Sequence, residues 1–278
     1  MIEGQISRTA IGAAAHRAVH QLVDGGRIFA DPLAVPILGA DLAERIAEAE
    51  ARPLPRSLRF FIAARSAFAE AKLAEAVERS GVGQYVLLGA GLDTFGCRNP
   101  FGERLRAFEV DHPATQAWKR HRLEAAGIAV PPTLTFVGVD FERAQPLDRL
   151  VEAGFDPERP AVFAWLGTVP YLSRAAISAT LAMISGLAGG AGLVFDYAEP
   201  VEARSDLAER VAAAGEPLLS LLEPAALHDD LRGLGFTAIE DLTVPDLIAR
   251  HFGEEEAEAR AEARKRGGHL LFASNLRT

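Results

Sequence analysis

The feature that most constrains this chain is a short apolar run that ends in glycines: Tyr85-Val86-Leu87-Leu88 followed at once by Gly89-Ala90-Gly91. Four apolar residues without alternation read as a strand buried on both faces, the habit of parallel sheets. Glycine directly after such a strand lets a ligand approach the backbone with no Cβ in the way. Similar strand-like segments follow at Arg106–Val110, Leu134–Val139, Ala161–Trp165, Leu193–Asp196, Phe236–Glu240 and Leu270–Ala273. Helical patterns fall between most of them, at Ala114–Ala126, Leu147–Ala153, Arg174–Leu187 and Pro224–Leu234. Strands alternating with helices predict an α/β fold, a doubly wound and mostly parallel sheet covered on both sides.

The N-terminal part reads differently. Thr9–Leu22 and Phe60–Arg79 are helical, separated by proline-marked breaks at Asp31-Pro32, Pro53 and Pro55 and closed by Gly81 and Gly83. Residues 1–80 are therefore expected to form a helical extension or lid, and residues 81–278 a Rossmann-like domain. The charged stretch between Gly253 and Gly268 has an acidic start and a basic end, which predicts a solvated surface helix.

Composition narrows the partners. A hydrophobic share of 49% supports a sizeable core. A net charge of −9 repels phosphate backbones, so nucleic acid is not expected as a partner. The lone Cys97 cannot form an internal disulfide or a thiolate cluster. With neither a signal-like start nor a membrane-length apolar stretch, a cytoplasmic protein with no membrane partner is expected. No His/Asp/Glu spacing suggests a metal site.

Three acidic or glycine features carry the chemistry. In Leu88-Gly89-Ala90-Gly91-Leu92-Asp93-Thr94 the third glycine of the dinucleotide fingerprint is replaced by Thr94, which speaks against a pyrophosphate ligand. About 20 residues on, Asp111 ends the second strand, where a carboxylate can accept both hydroxyls of a ribose. Asp111 suits this better than Glu109, since it lies beyond the last apolar residue; a helix N-cap ahead of Pro113 is the plainer reading. Asp140, after the third strand, borders the ligand crevice of open α/β sheets and can accept from an adenine amino group, or simply turn the chain.

With these motifs the sequence resembles the leucine carboxyl methyltransferase-like family of class I S-adenosylmethionine-dependent methyltransferases, which includes polyketide carboxyl O-methyltransferases. The resemblance rests on Ile6–Ala10, Phe29–Ala34, Ala63–Ser66, Gln84–Thr94, Phe108–Ala114 and Trp165–Leu172. It implies a seven-stranded sheet with an antiparallel last strand and S-adenosyl-L-methionine as cofactor. By position it implies that Arg65 grips the cofactor carboxylate, that Gly89 and Gly91 form the loop beneath it, and that Asp111 and Asp140 are the ribose and adenine acids. Ala90, Asp93, Phe141 and Trp165 complete the expected cofactor contacts. Two departures stand out: Leu166 and Phe95 occupy places where many members carry Glu and Arg. Arg98 keeps the family's second arginine.

The expected reaction is O-methylation of a carboxylate or hydroxyl of a small molecule, such as a polyketide-like secondary metabolite. A carboxylate is already ionised at neutral pH, whereas a phenol benefits from a base. His112 and Tyr171 are the weak candidates for a catalytic role, with capping or packing as their plain alternatives; Trp165 and Tyr171 either line the acceptor pocket or pack. Two other classes stay open at this point: an NAD(P)-dependent oxidoreductase, disfavoured by Thr94, and a non-catalytic cofactor-binding protein, motivated by Leu166.

Overall fold

The computed structural model describes residues 8–41, 56–140, 146–200, 218–253, 256–264 and 267–277. Seven strands form one sheet: β1 (Gln84–Leu88), β2 (Arg106–Asp111), β3 (Leu134–Gly138), β4 (Ala161–Trp165), β5 (Ala191–Ala198), β6 (Ala238–Thr243) and β7 (Gly268–Ser274). Their order is β3-β2-β1-β4-β5-β7-β6. The first five pair in parallel, and β7 runs antiparallel to both β5 and β6. The order reverses between β1 and β4, so the carboxyl tips there open the crevice where such sheets bind ligands.

The described helices are α1 (Arg8–Val23), α2 (Arg56–Ser80), α3 (Phe95–Arg98), α4 (Pro113–Ala125), α5 (Pro146–Glu152), α6 (Arg174–Ser185), α7 (Pro224–Gly233), α8 (Val244–Phe252) and α9 (Ala257–Arg264). Helix α6 starts where the Ser173 hydroxyl accepts the Ala176 N–H at 3.2 Å. Helix α8 starts at a capping box of Thr243 and Asp246.

Side-chain alternation along the strands divides the core between the two faces of the sheet. One face packs Tyr85, Leu87, Ala107 and Val162 against Phe60, Ala63, Ala64 and Leu73 of α2. Helix α2, the last of the N-terminal extension, thus supplies part of the core beneath the sheet. The other face gathers Val86, Phe108, Phe163, Trp165 and Phe195 with Ile177 and Leu181 of α6 and Leu227 and Leu231 of α7.

Three expectations need correction. Strand β6 lies two to three residues later than Phe236–Glu240, because Phe236 closes α7 by donating its N–H to Leu231 O at 3.1 Å. Strand β5 extends beyond Leu193–Asp196, because β7 pairs with it from Gly192 to Ala198. The charged segment after Gly253 is not wholly solvated: Ala259 and Ala263 of α9 are buried in the α2-side core. Among the described residues no helix is long and apolar enough to cross a membrane.

Candidate functional site

The glycine loop leaves β1 with Gly89 at φ 68° and Gly91 at φ 51°, a left-handed backbone that favours glycine at both positions. Gly89 N–H and Ala90 N–H both donate to Val110 O, at 2.8 and 3.2 Å, which ties the loop to the tip of β2. A Cβ at Gly89 would collide with the Thr168 side chain, and one at Gly91 would come within 3.2 Å of Ala10 in α1. Both glycines thus let the protein's own segments, Thr168 after β4 and Ala10 of α1, close against the loop.

Asp111 ends β2 beside this loop. Its Oδ2 accepts the Gly91 N–H at 2.6 Å and its Oδ1 the His112 N–H at 2.7 Å. A carboxylate has about four acceptor positions, so each oxygen keeps room for a hydroxyl donor. Burial pushes this carboxyl above its ordinary range, against the pull of the two N–H groups. Asp111 is not the N-cap of α4. That role falls to His112, whose Nδ1 accepts the Ala114 N–H at 3.2 Å. Glu109, one turn of the pleat earlier, is 1% exposed and paired with Lys119 in the core.

Val139 N–H donates to Asp111 O at 2.9 Å and so sets half-buried Asp140 next to the β2 tip. Phe141 lies outside the described residues.

Arg65 projects from the middle of α2 to the other end of the crevice. Its Nη1 donates to Asp196 Oδ2 at 2.9 Å, and Asp196 Oδ1 accepts the Gly167 N–H at 2.5 Å. Gly167 has φ 72°, and a Cβ there would press on Arg65 Nη2. Neither Asp196 nor Gly167 was expected from the sequence. The signal was available, however: Asp196 follows the apolar run Leu193-Val194-Phe195 as Asp111 follows Val110.

The remaining expected contacts divide. Asp93 braces the loop: its Oδ1 accepts the Phe95 N–H at 2.8 Å, and Arg17 stands 3.8 Å from its Oδ2. Burial would raise the Asp93 carboxyl, but Arg17, Arg98 and Lys119 hold it below the ordinary value. The hydroxyl of Thr94, at the place of the missing third glycine, meets both oxygens of Asp31 at 2.8 Å. The helix that follows, α3, has only 4 residues. A dinucleotide pyrophosphate needs an open helix N-terminus, and here the Thr94 side chain and the Asp31 carboxylate occupy that neighbourhood. Arg98 forks onto Glu70 of α2 and donates its Nε to Thr94 at 2.9 Å, so the second arginine links the loop to α2.

Trp165 is a correction. Its ring is fully buried in the core on the face opposite α2, so the structure places it among packing residues rather than on the crevice wall. Strand alternation turns Leu166 the other way, onto the α2-side core. Phe95 is likewise core, edge-on to Tyr85 at 4.7 Å. Tyr171 is half-buried in the short 3-10 turn Val169–Tyr171 just after β4. Among the described residues no group of three or more His, Cys, Asp or Glu side chains is placed to hold a metal ion.

A nucleoside with an amino acid tail fits this row: a carboxylate on β2 for the sugar, glycines on β1 for close approach, and a guanidinium at the β4 and β5 tips for the tail. Comparison with known proteins agrees. The profile of the family described as leucine carboxyl methyltransferase matches residues 10–185. A Bacillus subtilis protein, YktD, provisionally named an S-adenosyl-L-methionine-dependent methyltransferase, is 36% identical over 177 residues, covering 60% of this chain and 58% of its own length. A similarly named protein of Mycolicibacterium paratuberculosis is 29% identical over 270 residues, covering 90% of this chain and 82% of its own. The match thus spans little more than half the length of the Bacillus relative. The fold is shared with a crystal structure from Thermobifida fusca provisionally titled a methyltransferase, with TM-score 0.59, 16% identity and coverage of 98% of this chain and 96% of that one. It is also shared with a DUF574 family protein from Streptomyces avermitilis, with TM-score 0.58, 16% identity and coverage of 94% and 96%. The chain therefore belongs to the leucine carboxyl methyltransferase family of S-adenosylmethionine-dependent methyltransferases.

Proposed function

We propose that the chain transfers a methyl group from S-adenosylmethionine to an oxygen of a small molecule, a carboxylate in preference to a hydroxyl. When bound, the cofactor supplies an electrophilic methyl group on a sulfonium. The protein's part is alignment, since bringing nucleophile, methyl carbon and sulfur into line can remove ~7–11 kcal/mol of barrier in favourable cases. Asp111 holds the ribose hydroxyls, Asp140 faces the adenine edge, Gly89–Gly91 admits the backbone contact, and Arg65 takes the tail carboxylate. Each grip fixes one end of a rod-like ligand along the strand tips.

The observation that carries the choice of a carboxylate is the state of His112. Its Nδ1 is occupied as the cap acceptor for the Ala114 N–H. In the neutral ring the proton then sits on Nε2, which leaves no nitrogen to take a proton from a hydroxyl. A carboxylate acceptor needs no such base. The family's description points the same way. The test is labelled methyl transfer to paired acceptors that differ only in carrying a carboxyl or a phenol. The expected product is a methyl ester that releases methanol in mild base. A base-stable methyl ether as the main product would reject the carboxylate preference, and no transfer to either class would favour a non-catalytic cofactor-binding protein.

A further inference from the structure

We propose that Asp31 is a positioning residue for the glycine loop: reaching from the N-terminal extension, its carboxylate sets the back half of that loop through the Thr94 hydroxyl, without itself touching the cofactor. The inference rests on the cofactor reading above and assigns a residue which that reading does not use.

The loop is held from two directions. Its front half is tied to the sheet, with Gly89 and Ala90 donating to Val110 O and Gly91 donating to Asp111. Its back half, Leu92–Thr94, is gripped by the extension. Leu92 O accepts from Arg17 Nη2 at 2.5 Å, and the Thr94 hydroxyl lies 2.8 Å from both oxygens of Asp31. The two glycines at positive φ leave the front half easy to bend, so the shape of the whole loop depends on where its back half is pinned.

Asp31 is fixed before it meets the loop. It is 1% exposed. Its backbone N–H donates to Gln21 Oε1 of α1 at 3.0 Å, and its Oδ1 accepts the Leu33 N–H at 3.1 Å. Thr94 is fully buried, and its Oγ1 accepts from Arg98 Nε at 2.9 Å. A guanidinium only donates, so the single hydroxyl proton of Thr94 is directed at Asp31. That polarity calls for an ionised carboxylate, which accepts at both oxygens. An amide of the same shape would keep one acceptor and turn a donor toward the hydroxyl or an arginine.

The charges around this bond alternate along one line: Glu70 of α2, Arg98 of α3, Asp31, Arg17 of α1 and Asp93 of the loop. Arg98 forks onto Glu70, and its Nε lies 3.5 Å from Asp31. Arg17 Nε lies 3.7 Å from Asp31, and its Nη1 lies 3.8 Å from Asp93. Asp31 is the middle member and joins α1 to α3. Buried ion pairs are poor stabilisers, because desolvation offsets their attraction. What this chain supplies is register: the end of the loop cannot slide past α1 or α2 without parting opposite charges in a buried place.

The test is calorimetric titration of the full chain with S-adenosylhomocysteine, paired with urea melts of every variant. Asp31→Asn should weaken binding by about 10- to 100-fold, the range for a hydrogen bond to a charged group. Thr94→Val, which keeps the shape and removes the hydroxyl, should weaken it to a similar degree. The double variant should bind no worse than the weaker-binding single one, because both changes cut the same link. Thr94→Ser keeps the hydroxyl and should recover the affinity that Thr94→Val loses. Folded variants that melt earlier yet bind like wild type overturn the proposal, since that is the signature of packing alone. Losses that multiply in the double variant overturn the link through Thr94. If Asp31→Asn does not fold, Thr94→Val against Thr94→Ser decides, and equal affinity in the two overturns the proposal. Failure of the wild-type chain to bind S-adenosylhomocysteine removes the cofactor reading itself, whereas wild-type binding with unaltered variants removes only the role of Asp31.

Discussion

The backbone N–H of Gly91 donates to the Asp111 carboxylate at 2.6 Å. The glycine loop and the acid we propose for the sugar are therefore one unit, and neither can move alone. Replacing Asp111 with Ala removes the proposed sugar contact and the anchor of the loop together. We expect a loss of about 10- to 100-fold or more in affinity for S-adenosylhomocysteine, the range of charge-assisted hydrogen bonds. Titration of the variant measures it, and an unchanged dissociation constant would remove Asp111 from the site.

Glu109 and Lys119 make an ion pair with both side chains almost wholly buried. Burial still pushes the Glu109 carboxyl above its ordinary range, with Lys119 opposing. Lys119→Met leaves that carboxylate uncompensated and should cost about 3–5 kcal/mol of stability. A carboxyl whose folded pKa is raised holds its proton more tightly when folded, so the variant's stability should fall as pH rises from 4.5 upward. Adding Glu109→Gln should recover part of the loss and remove that pH slope in denaturant melts.

Much of this architecture is legible in the sequence because its causes are local. The β4 segment Ala161–Trp165 and the acids at 111 and 140 lie in short apolar runs whose ends are marked by glycine or a charge. Asp196 has the same local mark and is legible as a strand end, but its partner, Arg65, is 131 residues away. No local pattern announces that contact. The side of the sheet on which a residue falls is also set by register, which is why Trp165 and Leu166, adjacent in sequence, belong to opposite cores. Helix α8 follows β6 directly through the Thr243 capping box, and the alternation of longer segments does not reveal it.

Helix α1 reaches the site through Arg17, besides Ala10, which lies against Gly91. Arg17 donates to Leu92 O at 2.5 Å and lies within ion-pair distance of Asp31 and Asp93. We propose that the N-terminal extension completes the crevice through this contact. Arg17→Met is expected to weaken S-adenosylhomocysteine binding several-fold without unfolding the sheet, and removal of Met1–Leu22 to weaken it further. Unaltered affinity and turnover in the truncated chain would reject a role for the extension.

Cys97 is half-buried behind the loop, and its thiol is pushed up to about 11, by burial first and by the Glu109 carboxylate next. Since the thiolate is the reactive form, native protein at pH 8 should alkylate at least about tenfold more slowly than the same chain in denaturant, given a free-thiol pKa of ~8.5. Mass spectrometry after timed iodoacetamide treatment gives the ratio. Equal rates would mean that Cys97 is freely accessible.

At the far edge of the sheet, His269 stacks on Tyr197 at 4.7 Å and its Nδ1 lies 3.0 Å from Asp241 Oδ1. Tyr197 and His228 share the other Asp241 oxygen, and Glu199 stands 3.6 Å from His269 Nε2. Burial disfavours the imidazolium, but Asp241 and Glu199 outweigh it and raise the His269 pKa above 6.5. The folded state then binds a proton more tightly than the unfolded state. The stabilisation is fully present below 6.5 and is lost as pH rises through the folded-state value, so wild-type stability should decline over that window. Asp241→Asn removes the main carboxylate, and burial of the ring then prevails. In urea melts at a series of pH values this variant should lose the decline across neutral pH, whereas a slope identical to wild type would show that another group titrates there.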